Sequence, residues 1–124
     1  MKLRCTENSL RLRVRKSDLE VLQKNGSITA TVIFALDQKL EFTLKTSSIS
    51  AIYAEFTGGQ ITVFLPASEA EQWISSQQVG LEKNQVLPDG QYLNLLIEKD
   101  FPCQHVPENQ FNDTFHELVP PQEG

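Results

Sequence analysis

The chain has 124 residues, 40% of them hydrophobic and 22% charged, with a formal net charge of -5, which suits one soluble domain with a modest core. No stretch approaches the roughly 20 consecutive apolar residues of a membrane span, and two cysteines are too few for the disulfide framework of a small secreted domain. Charge is unevenly divided: residues 1–24 carry seven Lys or Arg against three acids, whereas residues 25–124 carry four against thirteen, so nucleic acid is disfavoured as a partner although a local basic face remains.

Lys2 to Cys5 reads as a short strand and Leu10 to Arg15 as a second, with apolar residues at every other position. The apolar parity shifts between them across Thr6-Glu7-Asn8-Ser9, which requires a turn or a bulge. Cys5 shares the parity of Met1 and Leu3, so it is expected to be a buried thiol. No apolar run follows the opening residues, so they do not read as a secretory signal, and a cytoplasmic location is expected. The triplets at Asn25 and Asn112 are then not glycosylation sites.

Ser17 is placed to cap a helix beginning at Asp18, with Glu20 three residues on to close a capping box, and Asn25-Gly26 ends it. Strands are predicted over 27–34, 40–45, 49–56 and 60–65, with turns at Asp37-Gln38 and Gly58-Gly59, and an antiparallel meander is the most economical arrangement. Pro66 interrupts the ladder. A second helix follows over 67–76, with Ala70, Trp73, Ile74 and Gln77 at helical spacing. Two more strands, 79–86 and 92–97, flank the Pro88-Asp89-Gly90 turn, and the near-continuous apolar character of the second suits a central position. No internal repeat of useful length is evident.

Together these elements predict an α+β domain over residues 1–104: a mainly antiparallel, curled or partly closed sheet of six to eight strands with two short helices. Residues 105–124 read as an irregular, acidic, proline-containing strap that Phe111, Phe115, Leu118 and Val119 can peg across the domain.

Arg11, Arg13 and Arg15 should project from one face of the second strand, with Lys2 and Arg4 beside them on its hairpin partner. Guanidinium forks held close together grip phosphate or carboxylate bidentately. In that reading Arg11 and Arg13 bind the anion and Arg15 sets its position. The plainer reading is a solvated sheet face paired with Glu41, Glu55 or the acidic tail. The first 24 residues offer no aromatic on which a base could stack.

Cys103, His105 and His116, with Asp100 or Asp113 supplying oxygen, have the residue types of a zinc site, and Cys103 with His105 those of a nucleophilic pair. Their spacing is not that of a compact finger, so a buried cysteine and two surface histidines is the plainer account. Glu98 and Asp100 share parity at the end of the last strand. They suit either proton transfer or cation binding, or salt bridges that terminate the strand. The chain has no phosphate-cradling glycine loop, nucleophile elbow or His-Glu-x-x-His site, and no cofactor is expected.

Met1 to Arg4, Ser9 to Arg13, the Ser17-Asp18-Leu19-Glu20 helix start, Trp73, Val79-Gly80 and the run from Gly90 to Cys103, with its Ile-Glu-Lys-Asp-Phe-x-Cys core, resemble a family of small uncharacterised bacterial proteins. The resemblance spans most of residues 1–104 and implies a self-contained domain, with no activity to carry over. The functional expectation is noncatalytic binding or structural association, with a small anion or an acidic protein as partner and homodimerisation through an exposed edge strand as a further mode. A metal-dependent or Cys-His enzyme built around Cys103 is the alternative.

Overall fold

The computed structural model describes residues 1–101. Eight strands and two helices follow in order: β1 (Lys2–Thr6), β2 (Ser9–Val14), α1 (Lys16–Asn25), β3 (Ser27–Ala35), β4 (Gln38–Ser47), β5 (Tyr53–Thr57), β6 (Gln60–Pro66), α2 (Ala67–Ser75), β7 (Gly80–Val86) and β8 (Tyr92–Lys99). The α+β class and both helices match the sequence expectation. The single, partly closed sheet that was expected is corrected: the eight strands form two separate four-stranded sheets, of order β1-β2-β8-β7 (sheet A) and β3-β4-β6-β5 (sheet B).

The meander expected over β3 to β6 is corrected by the strand order. β3 pairs with β4 and β5 with β6, both antiparallel, but β6 lies parallel to β4 and separates it from β5. Burial explains the choice. Phe42 and Leu44 of β4, and Ile61, Val63 and Leu65 of β6, are all buried, which suits central strands. The short β5, with Glu55 and an exposed Phe56, suits an edge. β8 is central, as its apolar run predicted.

Strand order also reveals a duplication that residue identity conceals. Each half of the chain is a ββαββ unit whose first hairpin enters one sheet and whose second enters the other. The hairpin partners Lys2 and Arg13 correspond to Tyr53 and Phe64, and the parallel seam of β2 with β8 corresponds to that of β6 with β4. Even the turns agree: Asn94 N–H donates to the Asn8 carbonyl at 2.9 Å, and Glu41 N–H to the Gly59 carbonyl at 3.0 Å. Asn8 and Gly59 both have positive φ, and at Gly59 a Cβ would come within 2.9 Å of the Lys39 carbonyl oxygen, so only glycine fits there.

Leu12, Val14, Leu95 and Ile97 of sheet A join Leu44, Val63 and Leu65 of sheet B in one core, which Leu22 of α1 and Trp73 of α2 complete. Trp73 is fully buried, and its indole N–H donates to the Val79 carbonyl at 3.1 Å, which ties α2 to the entry of β7. Trp73→Ala is expected to cost about 3–5 kcal/mol and Trp73→Phe considerably less, as read from urea denaturation.

The start of α1 departs from the expected cap. Arg15 is the N-cap residue, and Asp18 accepts its backbone N–H at 2.8 Å, so the box runs from Arg15 to Asp18 instead of from Ser17 to Glu20. Gly26 ends the helix in the left-handed conformation, as foreseen. The Asp18 carboxylate also pairs with the Met1 ammonium at 2.9 Å. Burial pushes Asp18 up, but the Arg15 N–H, the Met1 ammonium and the Arg15 charge outweigh it and hold the carboxyl below its usual range. A depressed carboxyl stabilises the fold fully above its unfolded value and loses that contribution as pH falls through the folded one. The stability gap between the wild type and Asp18→Asn should therefore narrow on acidification below about pH 4, as followed by denaturation at a series of pH values.

Candidate functional site

Two registers assemble the polar face of sheet A. The β1–β2 hairpin sets Arg4 opposite Arg11 and Lys2 opposite Arg13, while the parallel β2–β8 seam sets Arg13 opposite Glu98. Side chains two residues apart on a strand share a face, so Lys2, Arg4, Arg11, Arg13 and Glu98 emerge together, and Leu12, Leu95 and Ile97 go to the core.

Glu98 is only 8% exposed, and a carboxylate so placed needs cationic partners. Arg13 donates to it through Nε at 2.8 Å, and Arg11 Nε lies 3.6 Å from the same oxygen. Arg13 further reaches Asp100 at 3.7 Å and stacks its guanidinium 5.3 Å from the centre of the Phe101 ring. Lys2 lies 3.8 Å from Asp100. Glu98 and Asp100 thus serve as salt-bridge partners at the end of the last strand, and they take the place of Glu41 and Glu55 as neighbours of the arginines.

Arg15 stands apart, at the N-cap of α1. The expected trio is thereby divided: Arg11 and Arg13 share Glu98, while Arg15 belongs to the helix start. What sits beside Arg11 instead is Arg4. These two arginines are direct cross-strand partners, and with Thr6 and Ser9 they line a polar recess of about 200 Å³. Like charges directly opposite in an antiparallel pair repel. Arg11 has only a share of Glu98 in compensation, and Arg4 forms no ion pair among the described residues. Beyond Ser9 the face continues as a hydrogen-bonded row: Ser9 donates to Asn94 at 3.4 Å, and Asn94 donates to Asn84 at 2.8 Å and Glu82 at 3.2 Å.

Cys5 is exposed, which corrects the expected buried thiol. Its parity is that of the core face, but it lies near the end of edge strand β1, where its counterpart in the second half, Phe56, is exposed too. Cys103, His105 and His116, the alternative metal or nucleophilic centre, lie outside the described residues, as does the 105–124 strap. Asp100, the described member of that alternative set, is occupied by Lys2 and Arg13. Among the described residues no three His, Cys, Asp or Glu side chains converge to hold a metal, and no helix is long and apolar enough to cross a membrane.

The fold and this face define a two-sheet α+β domain carrying an arginine pair beside a shared, buried carboxylate. The chain belongs to a family of unknown function, DUF7009, whose model matches residues 1–118. No curated protein and no solved structure matches it. Because Glu98 joins two arginines across the β2–β8 seam, Glu98→Gln is expected to lower stability by about 1.5–3 kcal/mol, the range for hydrogen bonds to charged groups, as measured by chemical denaturation at low salt.

Proposed function

We propose that this chain is a noncatalytic binding domain, working in the bacterial cytoplasm, that takes a small oxyanion on Arg4 and Arg11. The observation that carries this reading is the direct opposition of the two arginines across the hairpin, where both line a polar recess. An anion seated there would relieve the repulsion between them and accept from both forks, with the Thr6 hydroxyl as a further donor. A recess of about 200 Å³ suits a single phosphate or carboxylate group, carried by a small molecule or by an acidic side chain of a partner protein. Arg13 supports the site by holding Glu98 and leaving Arg11 only loosely engaged, at 2.8 against 3.6 Å. The exposed thiol of Cys5 is in keeping with a reducing compartment.

The test is a titration with inorganic phosphate and, separately, with a short acidic peptide at low ionic strength, followed by amide chemical shifts. Shifts should centre on residues 4–11 and weaken as salt is added. Arg4→Gln and Arg11→Gln should each reduce affinity at least about tenfold, the loss of one charge-assisted hydrogen bond, while Arg15→Gln leaves it unchanged. Absence of binding to both probes, or binding indifferent to Arg4 and Arg11, would overturn the proposal.

A further inference from the structure

The four edge strands of this fold are not equally protected. β1 carries Lys2 and Arg4, β5 carries Glu55, and β7 carries Glu82 and Lys83. Charges of this kind discourage a second chain from adding to the sheet. β3, Ser-Ile-Thr-Ala-Thr-Val-Ile-Phe-Ala, has no charge and no proline, and it is the longest of the four. Its register with β4 is regular from Ser27 to Ile33, with an irregularity only between Ile33 and Ala35. Most of its outer edge is therefore straight strand without a charged residue. Among the described residues its backbone forms no ladder with a strand beyond it.

The edge of β5 has a second protection. At the junction of β5 with β7, the Gln85 side chain accepts the Ala54 N–H at 2.7 Å and donates to the Ala54 carbonyl at 3.1 Å, closing that edge as a strand would. The end of the β3–β4 hairpin also runs past its neighbours: β6 pairs with β4 only from Glu41 onward. Beyond that point Val32, Ile33, Phe34 and Leu36 are 43%, 75%, 72% and 103% exposed. A two-stranded arm whose β3 half exposes apolar side chains is marginal in water by itself.

We propose that β3 is a homodimerisation edge, at which the β3 strands of two copies pair antiparallel about a twofold axis, so that the hairpin end of each lies beside the start of its partner's strand. An isologous contact of this kind is self-complementary, and an uncharged strand pairs with itself without placing like charges opposite each other. The exposed apolar side chains at the hairpin end add a surface that such pairing covers in part. The surface belongs to sheet B, so the proposal stands independently of the arginine recess on sheet A.

Sedimentation equilibrium of the full chain over a range of concentrations tests it. The wild type should show a reversible monomer to dimer transition, and backbone amides of residues 28–33 should exchange more slowly at concentrations that favour the dimer. Ile33→Lys should raise the dissociation constant at least tenfold, whereas Val86→Lys, an equally exposed site on the charged edge β7, should leave it unchanged. Should Ile33→Lys fail to fold, Thr31→Lys on the same edge replaces it, and the exchange measurement needs no variant. A wild type that is monomeric at every concentration, whether its own terminal residues or a different protein cover the strand, would overturn the proposal. So would a dimer that Ile33→Lys and Thr31→Lys do not weaken.

Discussion

The structure depends on two parallel seams, β2 beside β8 and β4 beside β6. Each joins the second strand of one hairpin to the second strand of another, and no tight turn can do that. The β2–β8 seam joins residues 85 apart in sequence, as Arg13 and Glu98 illustrate. Its loop-closure cost is repaid only when Leu12, Val14, Leu95 and Ile97 are buried together. Once that register is fixed, every side chain on the opposite face is fixed with it, because a slip of one residue would exchange core for surface.

The polar face is therefore a consequence of how the core packs. Arg13 meets Glu98 because Leu12 meets Ile97 one position earlier in the same ladder. Glu98 is buried and draws two arginines, so the face is held together by one shared carboxylate and a second acid, Asp100. Charge is unequally satisfied along it: Arg13 is fully engaged, Arg11 only partly. That gradient directs attention to Arg4, which the β1–β2 hairpin delivers next to Arg11. The family to which the chain belongs has no assigned activity, so the functional argument rests on this local imbalance.

The duplicated ββαββ plan explains why similar elements meet different fates. Leu12 and Val63, or Leu22 and Trp73, occupy equivalent core positions with different side chains, so a comparison of identities sees little while burial sees the repeat. On the surface the halves have diverged further. β7 has Lys83 and the clasping Gln85 where β3 has Ala30 and Val32. One junction between the sheets is closed by hydrogen bonds from the Gln85 side chain, and at its mate the equivalent residue, Val32, has no hydrogen-bonding group.

Much of this was legible in the sequence because local periodicity reports local structure. The alternation in Ser9–Val14, the helical spacing around Trp73, the glycine at 26 and the continuous apolar run of β8 each identified an element, a boundary or a central position. The α+β class followed from them, as did a common face for Arg11 and Arg13. The capping acid was misassigned between Ser17, Asp18 and Glu20 because several candidates stood within one turn. Strand order, the division into two sheets, the place of Glu98 between the arginines and the exposure of Cys5 and β3 were decided by tertiary structure. They depend on which distant apolar faces bury each other, and that energy arises between segments, so no pattern within a single segment records it.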